Sequence, residues 1–234
     1  MRVFSPVAVA GLTAAVYAIF VRPRLIRWGA TDDEVARPYP GADFIPDGKR
    51  AATMAVTIEA PPREVWPWLV QMGYDRAGWY SWDHLDNGGR HSADWIHPEW
   101  QLLEVSDWLT VWSPHGPADA WEVVALEPER FLGLYGGSDL RGRPFLRVEA
   151  RPHIYIEGLW GFLLTELPGD RTRLVVSGYQ SGRPRLLWAL GDYFVYPPMH
   201  WTMQTRQFAN IARRAERDRA RRPFGRPRTR ESAR

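Results

Sequence analysis

The chain has 234 residues, enough for one or two domains with a sizeable core. Hydrophobic residues at 45% and charged residues at 24% exclude a wholly disordered or collagen-like chain, and the absence of cysteine excludes a disulfide scaffold, a thiolate metal centre and a cysteine nucleophile. The net charge of +3 hides a segregation: residues 1–27 carry +4 and residues 213–234 carry +7, which leaves −8 on an acidic body that would repel phosphate.

Val3 to Val21 is a charge-free stretch of 19 residues, close to the roughly 20 apolar residues that a spanning helix needs. Pro6 stands near its start, where a missing N–H costs least, and Gly11, Ala14, Ala15 and Ala18 are small, as in many spanning helices. The stretch ends in Val21-Arg-Pro-Arg24, without the small residues of a signal-peptide cleavage site. The expectation is an N-terminal transmembrane helix with a basic flank over residues 1–27. Arg22, Arg24 and Arg27 follow the stretch while only Arg2 precedes it, a bias that predicts a single-pass membrane protein with a cytoplasmic globular part.

Thr31-Asp-Asp-Glu34 has the form of a capping box for a short helix, ended by Arg37-Pro38. The prolines and glycines that follow read as a linker over residues 28–50. Residues 51–59 place Met54, Val56 and Ile58 on one face of a strand. Pro61-Pro62 then opens a helix carrying Val65, Leu69 and Met72, kinked at Pro67. Short β-type runs follow at Leu109–Ser113, Trp121–Leu126, Phe131–Tyr135 and Phe145–Ala150. Two longer runs, residues 153–167 and 171–179, flank the turn Leu167-Pro-Gly-Asp-Arg171. After Gly182 the period turns helical over Leu186–Phe194. Tyr196-Pro-Pro198 interrupts it, and a long helix then runs to about Arg222 with the stripe Trp201, Phe208, Ile211, Ala212 and Ala215. Residues 217–234 read as a basic, disordered tail.

The predicted order is strand, kinked helix, antiparallel meander and long terminal helix. That order, with the words Val56-Thr-Ile-Glu-Ala-Pro-Pro-Arg-Glu-Val-Trp-Pro-Trp-Leu-Val-Gln-Met-Gly73, Arg76-Ala-Gly-Trp-Tyr-Ser-Trp-Asp83 and the hairpin from Gly161 to Val176, resembles the SRPBCC superfamily. This is the helix-grip fold of START lipid-transfer domains, the birch-pollen allergen group and polyketide cyclases. The resemblance covers roughly residues 50–216 and looks closest to membrane-attached bacterial members of unassigned function. It implies an α+β domain over residues 51–216, a curved antiparallel sheet wrapped around the long C-terminal helix. It also implies a cavity between the two that binds an apolar small molecule or lipid.

Candidate ligand contacts follow from that frame. Trp79, Tyr80 and Trp82 belong at the cavity mouth or in an aromatic plug, with Asp83 as a polar anchor. Trp112, Tyr135, Tyr155, Trp160 and Tyr179 lie in strands, and Met203 and Phe208 on the terminal helix, each as core or cavity wall. Asp83, His84 and Asp86 would serve a cyclase- or dehydratase-type enzyme if they point into the cavity. A membrane-anchored interaction module with a filled core is a third reading. His91, Asp94, His97 and Glu99 are metal-ligand types at close spacing, but Gly88-Gly89 and Pro98 place them in a loop, so neither metal nor cofactor is expected. There is no Gly-x-Ser-x-Gly elbow and no phosphate-binding loop, and Lys49 is the only lysine. The basic ends fit an anionic membrane surface better than nucleic acid, since no RNA-binding motif accompanies them.

Overall fold

The computed structural model describes residues 5–221. Seven strands form one antiparallel sheet: β1 (Lys49–Arg50), β2 (Met54–Ile58), β3 (Trp108–Ser113), β4 (Gly116–Glu127), β5 (Phe131–Asp139), β6 (Tyr155–Leu167) and β7 (Arg171–Arg183). Their order is β1-β7-β6-β5-β4-β3, with β2 also on β7. β6 and β7 pair from Tyr155 opposite Arg183 to Leu167 opposite Arg171. Their turn places Gly169 and Asp170 at positive φ, where glycine and aspartate are the least strained choices. Register shifts at Leu109/Thr110 and Val123/Ala125 add twist, and the sheet curves.

The helices are α1 (Pro6–Val16), α2 (Arg22–Ile26), α3 (Asp32–Ala36), α4 (Pro62–Val70), α5 (Asp83–Asp86), α6 (Arg185–Phe194) and α7 (Tyr196–Arg221). On the inner face of the sheet Leu132, Leu134, Phe162, Leu164, Leu174 and Val176 pack with Val65, Trp68 and Leu69 of α4 and Phe208, Ile211 and Ala215 of α7. Strand alternation sends Phe131, Tyr135, Leu159 and Val175 to the outer face.

Of residues 28–50, expected as a linker, Ala30, Tyr39, Phe44 and Ile45 pack on that outer face. Tyr39 and Ile45 are buried there, and the Tyr39 hydroxyl donates to the Val175 carbonyl oxygen at 3.0 Å. The Thr31–Glu34 capping box forms, and Arg173 of β7 holds Glu34 at 2.8 Å. The amides of Thr53 and Ala55 donate to the carbonyl oxygens of Ile26 and Trp28, which covers the free edge of β2.

Two further expectations need correction, and a third, the N-terminal transmembrane helix, is not shown; Val3 and Phe4 of its stretch lie outside the described residues. Among the described residues no helix is long and apolar enough to cross a membrane. The apolar stretch is α-helical over Pro6–Val16, passes through a π-helical turn at Tyr17–Val21 and then meets Arg22. Phe145–Ala150 is not a strand. It follows a single bridge, Ser138 to Pro144, because β5 already pairs with β4 on one side and β6 on the other. Residues 217–221 are the end of α7 rather than tail: Arg219 donates to the Glu59 and Asp170 carbonyl oxygens at 2.7 and 2.8 Å. The rest of the expected tail lies outside the described residues.

Candidate ligand-binding site

The two ends of α7 meet the sheet differently. Its second half presents Phe208, Ile211 and Ala215, which fill the space toward α4. Its first half presents Tyr196, Met199, His200 and Met203 toward small residues, Gly158 of β6 and Ala51 and Ala52 ahead of β2. Short side chains on one wall keep the helix from closing the gap, and a cavity of about 240 Å³ remains. Trp121 and Trp160 from the sheet and Trp79 from the loop after α4 complete the apolar wall.

The walls are cross-braced. Trp79 stacks on Trp160 with ring centres 5.7 Å apart, and Trp121 lies 5.3 Å from Trp160 on another side. Trp160 Nε1 donates to Gln204 Oε1 at 3.3 Å, Gln204 Nε2 to Gln207 Oε1 at 2.9 Å, and Gln207 Nε2 to the Trp79 carbonyl oxygen at 2.9 Å. Sheet, helix and loop are thus tied by one polar chain that spends the glutamine amides on the protein itself.

Ser81 and Asp86 also line the cavity. Burial pushes the Asp86 carboxyl up to about 6; the nearby Ser81 hydroxyl counters part of this and the Asp83 charge adds to it. His200 stacks on Tyr196 at 4.9 Å, and burial pushes its imidazole down to about 4, so it is neutral at pH 7. An ionisable carboxyl and a neutral imidazole in an apolar hollow can orient a polar ligand group or exchange a proton with it.

Of the expected contacts, Trp79, Trp160 and Met203 line the cavity. The others lie elsewhere, each for a definable reason. Tyr80 is buried beneath Trp68, 5.8 Å away, with Arg214 over its ring. Trp82 is turned outward, its Nε1 donating to the Thr202 carbonyl oxygen at 3.1 Å and Arg206 covering its ring. Asp83 braces its own loop, accepting from Ser92 Oγ at 2.8 Å with His91 Nδ1 at 3.1 Å. Trp112 covers Gly88, where any Cβ would collide with the indole. Tyr135, Tyr155 and Tyr179 take the outer face: Tyr135 donates to Glu157, Tyr155 packs on Phe145, and Tyr179 donates to the Tyr39 carbonyl oxygen. Phe208 is core, stacked on Trp28. His84 is exposed. The loop of metal-ligand types is dispersed among separate partners: His91 with Asp83, Asp94 with Arg214, and His97 with Glu99. Among the described residues no group of three or more His, Cys, Asp or Glu could hold a metal ion.

Sequence reasoning missed Trp121, Met199, His200, Gln204 and Gln207. Met199 and Met203 stand four apart, the helical signature of a shared face, so the helix-side wall was open to detection.

No family model matches the chain, and no curated protein matches it. Solved structures do. Protein MLL2253 of Mesorhizobium loti is 21% identical over 70% of this chain and 97% of its own, with a TM-score of 0.35. The hypothetical protein jhp0584 of Helicobacter pylori is 18% identical over 77% of this chain and 96% of its own, with a TM-score of 0.48. DynU16, from the dynemicin biosynthetic locus, is 20% identical over 73% of this chain and 47% of its own, with a TM-score of 0.41. The fold therefore rests on the sheet and helix geometry described above rather than on these likenesses.

Proposed function

We propose that the protein binds an apolar small molecule, or the apolar part of a lipid, between its sheet and α7, as the SRPBCC resemblance implies. The cavity itself carries the reading: about 240 Å³ walled by Trp79, Trp121, Trp160, Met199 and Met203. A dry cavity of about 150 Å³ already admits benzene. This one suits a one- or two-ring molecule or a length of acyl chain. Burying about 200 Å² of ligand surface would supply roughly 5 kcal/mol before association costs. Met203→Trp, which fills the space from the helix side, tests the reading. Calorimetric titration of delipidated protein with indane should show binding to the wild type and none to the variant, with the melting temperature maintained. Equal binding to both would sink the proposal.

A second reading, cyclase- or dehydratase-type chemistry, draws on Asp86 and His200 lining one apolar site. Turnover there would vanish on substitution of either residue.

The proposal also seats the protein on an anionic bilayer. Leu12, Val16, Ile19 and Phe20 of the N-terminal helical stretch are exposed, as are Leu186, Leu187, Leu190 and Phe194 of α6. The two groups meet where Tyr17 packs on Tyr193 and Phe194, with Arg22 over the Tyr193 ring. Residues 1–27 contain no acid, Arg183 precedes α6 and Arg185 opens it, so charge favours acidic headgroups. Apolar residues all round α1 suit a lipid medium better than a protein partner, which would cover one side.

A further inference from the structure

We infer that the cavity takes an apolar molecule bearing a hydroxyl group, held at the wall formed by Trp79, Ser81 and Asp86. The inference rests on the cavity reading above and narrows it to a ligand class. These three residues line the cavity from one short segment of chain. Trp79 Nε1, Ser81 Oγ and Asp86 Oδ1 are each buried without a well-formed hydrogen bond. The Ser81 hydroxyl lies near enough to the Asp86 carboxyl to offset part of its burial, but does not complete a bond to it.

Of the other polar side chains on the lining, the two glutamines of α7 and Ser177 are already committed, while His200 stands on the helix side, stacked on Tyr196. Gln204 and Gln207 bond to each other, to Trp160 and to the Trp79 carbonyl oxygen. Ser177 bonds to Thr53 and Arg50. The three buried, unpaired atoms of the lining thus fall on one wall, and they are mixed: an indole donor, a carboxyl acceptor and a hydroxyl that can act as either. Buried polar groups are rarely left unpaired in a finished site.

A ligand hydroxyl matches this set, donating to Asp86 while accepting from Trp79 or Ser81. A hydrocarbon would leave all three groups unpaired. An anionic head would meet the Asp86 charge in an apolar enclosure, where like charges repel most strongly. Sites built to bond a substrate hydroxyl discriminate against analogues that lack it for this reason.

The test is calorimetric titration of the delipidated full-length protein at pH 8 with three compounds of one shape: indane, 2-indanol and indane-2-carboxylate. The wild type should bind 2-indanol at least about tenfold more tightly than either of the others. Asp86→Ala should reduce 2-indanol to the affinity of indane while leaving indane within about threefold of its wild-type value. Ser81→Ala, which removes the hydroxyl and little else, should weaken 2-indanol several-fold and spare indane, so the test survives if the first variant fails to fold. Equal binding of the three compounds to the wild type, or a hydroxyl preference that persists in both variants, overturns the hydroxyl assignment and leaves the cavity reading standing. Absence of binding by all three overturns both.

Discussion

Asp86 and His200 share the cavity but respond to acid in opposite senses. The Asp86 carboxyl is pushed up from 3.8 to about 6, so the folded chain holds its proton more tightly than the unfolded chain. Its destabilising effect is full above pH 6 and is relieved as pH falls toward 4. His200 is pushed down from 6.5 to about 4, so stability is lost as pH falls through that window. The two effects offset each other in the wild type. Asp86→Asn should raise unfolding stability by about 1 kcal/mol at pH 7.5, a figure reduced for the group's partial exposure, and by almost nothing at pH 4. Urea unfolding at four pH values between 4 and 7.5 checks this; a gain independent of pH would refute it. At this scale the sequence was half legible. Trp79, Trp160 and Met203 could be named, but Asp83 was chosen over Asp86 because spacing alone cannot tell which carboxylate braces its loop through Ser92 and which meets the hollow.

At the scale of elements, the pattern was strongest where neighbours supplied partners. The β6–β7 hairpin and the apolar stripe of α7 were readable from turn chemistry and periodicity. The alternating residues of Phe145–Ala150 looked equally strand-like and failed, since β5, the strand beside them, is already paired on both sides. The faces of the strands were not readable either. Ala30, Tyr39, Phe44 and Ile45 pack on the outer side, so Tyr135 and Tyr179 are as well packed there as Trp160 is near the cavity. Two element-level predictions follow from these contacts. A Cβ at Gly178 would stand 1.7 Å from the Leu159 carbonyl oxygen across the hairpin, so Gly178→Ala should destabilise the fold by roughly 2–4 kcal/mol in chemical unfolding. Leu187 and Leu190 of α6 are exposed, so Leu187→Glu with Leu190→Glu should leave the melting temperature within a few degrees. The same pair should sharply reduce co-sedimentation with phosphatidylglycerol vesicles; undiminished sedimentation would contradict the proposed seating.

For the whole molecule, the proposed function links the charge segregation to the position of the cavity. On the proposed seating, the acidic body, the basic N-terminal region and the exposed apolar residues of α1 and α6 would favour one orientation against an anionic surface. Met199, which is exposed and also lines the cavity, follows Val195, itself exposed one helical turn earlier. On the proposed seating, Val195 and Met199 would offer a ligand dissolved in lipid an apolar route from α6 to the cavity. The sequence pointed to a sheet gripping a helix, and the small residues Ala51, Ala52 and Gly158 explain why the grip stays open at one end. They were not recognised beforehand because a small residue announces no contact; its meaning comes from what stands opposite.

Native mass spectrometry of gently purified wild type beside Met203→Trp, with organic extraction of both, tests the occupied cavity most directly. A single apolar species should accompany the wild type in near-stoichiometric amount and be missing from the variant. Ligand-free wild type across several preparations, or the same species carried equally by both proteins, would contradict the account.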